Sequence, residues 1–395
     1  MQKRILSGKI FKRGFTVVEL LVVVVIIGIL TAITVVSYSG IKERVIIASL
    51  QSDLTVVSKQ INQFQLNDSK NKYPGSILDC PSPAAANLCL KASAGNSLVY
   101  SVNNAVSPKS YALGAYNTET KLSYRLTNDT IPIACPLGFV IVPGSATYNQ
   151  KAFCIMKYEA RNNGSNVPTS ESSFAATLPW TNVSQLSAIA YSATTCDGCH
   201  LMTEAEYLTL AQNIASVPAN WTQNVVGGTN NSLFAGHDDN APATGPLIAT
   251  SNDSDGWYGE TNQGGVQRRT FVLTNGETIW DIPGNVWEWT SGQATTGIPG
   301  NSSDASYTWH EWKDINVQAT YSNLPNPNPA FGTPAASTWT WVNRVGGLLS
   351  NANDTSLQGI LRGGKYNDNG GAGLWFMQFN GVSVSQADIG FRVAK

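Results

Sequence analysis

Histidine is nearly missing from this chain: His200, His237 and His310 are the only three in 395 residues, which argues against a centre built on a histidine cluster. Cysteine stops at Cys199, so the 196 residues after it have no thiol with which to hold copper or attack a substrate. Charge is sparse and balanced, 25 Lys and Arg against 26 Asp and Glu at 13% charged residues, and no basic excess marks a nucleic-acid partner. Tryptophan is absent before Trp180, although eleven lie from there on. The break in composition places a joint near Thr130-Ile131-Pro132. Abundant Gly, Ser, Thr and Asn with few charges suit an extracellular surface rich in strands and loops.

What the chain does have, at its start, is a basic leader of Lys3, Arg4, Lys9, Lys12 and Arg13 that ends at Gly14 and is followed by Phe15. An apolar run then reaches Val36 with Glu19 as its only charge. The run from Phe15 is 22 residues, about 33 Å of helix, enough for a bilayer. A secretory signal peptide is cut after its apolar segment; here the leader ends before it, so the helix is retained. Ile47, Leu50, Leu54, Val57, Ile61 and Phe64 continue it as one apolar stripe, with Lys42, Glu43, Arg44, Gln51, Asp53 and Lys59 on the other faces.

These residues resemble a type IV prepilin. The resemblance implies cleavage by a prepilin peptidase between Gly14 and Phe15, methylation of the new N-terminus, and pairing of Glu19 with the Phe15 amine of a neighbouring pilin subunit. A carboxylate at a membrane helix end costs on the order of 2–3 kcal/mol and is kept where it has a partner. The implied route runs from a single-pass precursor in the bacterial inner membrane to the cell surface or a pilus. Removing the leader leaves 20 basic against 26 acidic residues, a balance of −6.

The expected organisation is a leader (1–14), a pilin helix (15–66), a small β head (67–130) and a large C-terminal domain (131–395). In the head, Leu98–Val102, Ser110–Ala115 and Lys121–Leu126 read as a three-stranded meander. Six cysteines in an exported chain suggest disulfides. Proximity favours Cys80 with Cys89, Cys135 with Cys154 and Cys196 with Cys199, among fifteen pairings that six cysteines allow. Thr203 and Glu206 form a capping box that opens a helix, and Trp287 and Trp289 share one side of an extended segment.

Five blocks carry a second resemblance: Phe153-Cys154-Ile155-Met156-Lys157-Tyr158-Glu159, Leu201-Met202-Thr203-Glu204-Ala205-Glu206-Tyr207, Gly284-Asn285-Val286-Trp287-Glu288-Trp289-Thr290, Leu361-Arg362-Gly363-Gly364 and Gly390-Phe391-Arg392-Val393-Ala394. In this order they resemble the formylglycine-generating-enzyme-like branch of the C-type lectin fold. The implied fold class is α+β: a long pilin helix with a small β-meander head, then an irregular, loop-rich lectin-like domain. That family's copper-binding cysteine pair would lie between Lys365 and Ile389, where there is none; the expectation is a protein that is not an enzyme. Cys196-Asp197-Gly198-Cys199-His200 has the spacing of c-type haem attachment, but a disulfide-closed turn is the favoured reading, and neither haem nor copper is expected.

Calcium is the cofactor the resemblance implies. One site would use Glu288 with the carbonyls of Gly284 and Val286, the other Asn240, Asp255 and the carbonyl of Trp257, all oxygen ligands suited to a hard cation. The C-terminal framework also resembles the variable region of retroelement-diversified proteins, which makes Lys365, Tyr366, Asp368, Asn369, Trp375 and Met377 a candidate binding face. Aromatic and adaptable polar residues mixed in this way resemble a paratope. The expected function is a surface-displayed pilin-like subunit, minor or at a tip, presenting a protein or glycan ligand site. Its alternatives are a structural pseudopilin of a secretion or DNA-uptake machine and, less favoured, a residual oxidoreductase.

Overall fold

The computed structural model describes residues 17–76, 91–105, 107–128, 131–228, 230–260, 265–295, 298–314 and 341–395, without the side chains of 29–41 and 313. The chain divides into two compact units, Met1–Ser49 and Leu50–Lys395. Gly14, Phe15, Cys80 and Cys89 lie outside the described residues.

In the first unit the described chain is the start of α1 (Val17–Asn67), with Glu19 in its first turn. Its large apolar side chains from Val17 to Ile27 are 43–81% exposed. A helix apolar on every face is one made to be covered by lipid or by other helices. The described side chains of this run stop at Gly28, and among the described residues no helix is long and apolar enough to cross a membrane.

The second unit begins where the α1 stripe becomes buried. Leu50, Leu54, Val57 and Ile61 are all fully buried, four side chains contributing very roughly 6–12 kcal/mol as an upper bound. They lie under an antiparallel meander of β1 (Asn96–Asn103), β2 (Ser110–Asn117) and β3 (Ser123–Thr127), in the order β1-β2-β3. The Ser58 hydroxyl meets the Tyr111 hydroxyl at 2.9 Å, and Tyr73 stands edge-on to Tyr111. Asp53 departs from the solvated face expected for it. Its carboxylate accepts from the Ser93 amide and hydroxyl and from Asn96 Nδ2, so a buried charge here ties helix to head.

Beyond the meander the chain is mixed helix and sheet, and rich in strand. Its strands run β4 (Phe139–Val142), β5 (Phe153–Met156), β6 (Arg161–Asn162), β7 (Pro168–Thr169), β8 (His200–Leu201), β9 (Thr270–Val272), β10 (Thr278–Trp280), β11 (Trp287–Ala294), β12 (Thr308–His310), β13 (Leu348–Ser350), β14 (Gln358–Arg362), β15 (Met377–Gly381), β16 (Ile389–Phe391) and β17 (Val393–Ala394). One sheet has the order β4-β5-β17-β8 and a larger one β12-β13-β15-β14-β11-β16. In the larger, β11 pairs antiparallel with β14 and parallel with β16, which sets Glu288 opposite Gly390. Helix α2 (Gln185–Ala193) and helix α3 (Glu204–Ala215) flank the sheets. The capping box of α3 is fully made: Thr203 Oγ1 accepts from the Glu206 amide and Glu206 Oε2 from the Thr203 amide. Cys135 is bonded to Cys154, and Cys196 to Cys199.

The meander joins this region closely. Arg125 exchanges both backbone hydrogen bonds with Ile133 and pairs its guanidinium with the buried Glu277 at 2.5 Å. Gly276, at φ +84 in its turn, lies so near the Val102 backbone that a Cβ would sit 2.5 Å from it, and only glycine fits.

Candidate functional site

A cleft of about 300 Å³ opens between meander and C-terminal region, but its charges are matched, Arg125 with Glu277 and Lys157 with Asp253. The more open chemistry lies where the loop 237–240, the turn at Glu260 and the loop 365–369 meet. Two features force them together. Gly284 takes φ +82 with the His237 carbonyl only 2.5 Å from where a Cβ would be, so the turn leading into β11 passes hard against the 237–240 loop. Asn285, itself at φ +63, then bonds in four directions. Its amide donates to the His237 carbonyl, its Oδ1 accepts from the Leu247 amide, its Nδ2 donates to Glu159 Oε2, and its carbonyl accepts from the Tyr366 amide.

Of the expected binding face, Asn369 is exposed and Lys365, Tyr366 and Asp368 are half-buried. The Tyr366 ring stacks over His237 at 6.2 Å, and the Tyr366 carbonyl accepts from the Asn240 amide at 2.6 Å. Lys365 Nζ is 2.6 Å from Asp388. Asp368 Oδ2 accepts from the Lys365 amide, and burial pushes its carboxyl up to about 6. The Asn369 amide donates to the Asp238 carbonyl, while Asp238 pairs with Arg344 and accepts from the Gly370 amide.

Trp375 and Met377 are a correction to the expected face. Both are fully buried, members of the main hydrophobic core with Leu348, Ile360 and Phe379. Met377 opens β15, which lies inside the larger sheet between β13 and β14, and Trp375, just before it, is tied by its amide to the Val345 carbonyl at 2.8 Å, so both side chains enter the core.

Glu288 is a second correction, since its carboxylate is already engaged. Oε1 lies 2.7 Å from Arg392 Nη2, and both oxygens accept from Arg392 Nε, with the pair sealed from solvent. Both oxygens that the expected calcium site would draw on thus face a guanidinium. Around it Glu159, Arg161, Asp281 and Arg269 form a buried network, in which burial first, then Asp281 and Glu288, hold Glu159 well above the usual carboxylate range. Burial likewise raises Glu288, offset in part by Arg392. Asp255 is exposed, the Trp257 carbonyl accepts from the Glu260 amide at 2.8 Å, and Asn240 Oδ1 is buried with no hydrogen-bond partner.

One group of three metal-capable side chains occurs among the described residues: His237, Asp239 and Glu260, whose ligand atoms all lie within 4.8 Å of one another. The run His237-Asp238-Asp239-Asn240 is visible in the sequence, but Glu260 lies 23 residues away with no spacing to suggest it. Elsewhere His200, of the Cys-x-x-Cys-His run, turns Nε2 onto Glu206 at 2.9 Å, and that hydrogen bond raises its pKa.

Comparison with known proteins bears on the N-terminus. Residues 11–35 match the prokaryotic N-terminal methylation motif. The type II secretion system core protein G of Dickeya chrysanthemi is 35% identical over 63 residues, 16% of this chain and 40% of that protein's length. The N-terminus is pilin-like. It implies other pilin or pseudopilin subunits and a prepilin peptidase as partners, and a membrane-anchored precursor that passes to the surface or a pilus. Among solved structures, Treponema denticola variable protein 1 aligns at a TM-score of 0.27 and 16% identity over 75% of this chain and 98% of its own. A Major Tropism Determinant P3c variant aligns at 0.30 and 14% over 77% and 73%. At these scores neither likeness fixes fold or function.

Proposed function

We propose that this pilin-like chain is a minor or tip subunit whose C-terminal region, a lectin-like fold without catalysis, recognises a protein or glycan at a surface. The observation that carries the reading is the loop 365–369, in which exposed Asn367 and Asn369 alternate with half-buried Tyr366 and Asp368, held on a rigid base by Asn285 and by the Asp238–Arg344 pair. Side chains fixed in this way lose little entropy on binding. Calcium enters this proposal only at Asn240, Asp255 and the Trp257 carbonyl, since Glu288 is committed to Arg392.

The test is twofold. Mass spectrometry of the membrane or filament fraction is expected to find a methylated Phe15 N-terminus, and Glu19→Ala to leave that cut intact while impairing incorporation. Tyr366→Ala with Asn367→Ala is expected to abolish attachment with the melting temperature preserved; a double variant that attaches normally sinks the recognition reading. The match to a type II secretion core protein favours a second reading, a structural pseudopilin. In that case secretion, and not attachment, fails when the chain is deleted.

A further inference from the structure

We propose that His237, Asp239 and Glu260 form a binding site for a divalent transition-metal ion of the zinc class. Three observations converge on it. The His237 and Glu260 side chains are sealed from solvent, and Asp239 is half-buried beside them. His237 Nε2 lies 3.0 Å from the Gly245 carbonyl, which can only accept, so Nε2 carries the proton and Nδ1 presents its lone pair inward. That lone pair faces Glu260 Oε1 at 2.6 Å, yet neither Nδ1 nor either Glu260 oxygen makes a hydrogen bond of acceptable geometry.

Two acceptors this close, buried and unbridged, repel unless a cation lies between them. A proton on Nδ1 would make the contact an ion pair instead, but no hydrogen bond of acceptable geometry joins the two groups. An ion would bridge all three groups: ligand atoms bound at ~2.1 Å lie roughly 3 Å apart, between the 2.6 Å of this contact and the 4.8 Å that bounds the set. Asp239 completes the set: Oδ1 accepts from the Ala241 amide, which orients the carboxylate. Asp238 is excluded, being committed to Arg344.

The donor set selects the ion class. One imidazole nitrogen with two carboxylates suits Zn²⁺ or its neighbours, whereas Ca²⁺ takes oxygen alone. A ligating histidine ordinarily donates its second ring N–H to a carbonyl, as His237 does to Gly245. Three protein ligands leave positions for water. The ion would pin the loop 237–240 to the Glu260 turn directly under the Tyr366 ring. Metal binding here does not depend on the recognition reading, for it can hold in a purely structural subunit.

The test uses full-length protein in detergent, stripped with chelator and titrated with Zn²⁺ and with Co²⁺. The wild type is expected to bind one ion per chain, with visible Co²⁺ ligand-field absorption and a raised melting temperature. Glu260→Gln and Asp239→Asn are each expected to weaken binding by at least about ten- to a hundredfold, the scale of losing even an outer-shell partner. Near-UV circular dichroism reports whether each variant is folded; if Glu260→Gln is not, the half-buried Asp239→Asn decides. The proposal is overturned if the stripped wild type takes up neither ion, if folded variants bind as the wild type does, or if Ca²⁺ alone stabilises the protein.

Discussion

Replacing Glu288 with Gln isolates the value of the buried pair with Arg392. Arg392 donates Nε and Nη2 to Glu288, Nη1 to the Met156 carbonyl at 2.9 Å and Nη2 to the Trp280 carbonyl at 2.9 Å. The amide of Gln keeps the shape and one acceptor, but leaves the guanidinium in a fully buried site without a counter-charge on that strand. Breaking a buried pair from one side costs about 3–5 kcal/mol. A unit of about 350 residues unfolds with an entropy near 0.7 kcal/mol/K, at ~2.1 cal/mol/K per residue, so the melting temperature should fall by roughly 4–7 °C. Differential scanning calorimetry with and without chelator is the assay. The fall is expected to be the same in both, because the partner is an arginine. Changing both residues, Glu288→Leu with Arg392→Met, is expected to recover much of the loss, since an apolar pair leaves no orphaned charge. A Glu288→Gln melting curve within about 1 °C of wild type, or a calcium-dependent stabilisation that disappears in it, would refute the reasoning.

Two more outcomes follow from the same reasoning. The Asp368 carboxyl, raised by burial to about 6 from 3.8, binds its proton more tightly folded than unfolded; its stability contribution is complete below pH ~4 and lost as pH rises to ~6. The loss is on the order of 3 kcal/mol, and a pH series of melting curves should show it vanish in Asp368→Asn. Thr203→Ala removes the acceptor of the Glu206 amide in the α3 capping box and is expected to cost about 1–2 kcal/mol by chemical denaturation; a silent variant would mean that α3 is held by packing alone.

Local signals in the sequence survived folding where one element suffices to satisfy them. Leu50, Leu54, Val57 and Ile61 recur at helical spacing, and the helix buries them. The three strands of the meander lie between Asn-rich turns and extend the expected runs by a residue or two at most points. Signals that depend on distant partners were misread. Glu288 acquires Arg392 from 104 residues away through the parallel pairing of β11 with β16, and nothing near Glu288 announces it. Trp375 and Met377 look like contact residues until the fold packs both into the main core, Met377 at the start of β15 and Trp375 just before it. Asp53 sits in the polar pattern of its helix but is claimed by Ser93 and Asn96, which approach from the meander. His237 and Glu260 belong to turns with no periodicity at all, and only the tertiary fold makes them neighbours.

The close seam between meander and C-terminal region has a mechanical consequence. Were the proposed role in a filament to put the chain under load, a domain hung on a slack tether would swing to align with the pull before resisting it. Here tension applied through the meander reaches the larger region by the paired backbones of Arg125 and Ile133, the Arg125–Glu277 pair, and the Ser110 hydroxyl on the Thr274 carbonyl. These links lie side by side and share strain, so the region is held at a set angle to the meander. Under drag, the loop 365–369 would keep a fixed bearing relative to the meander that carries it.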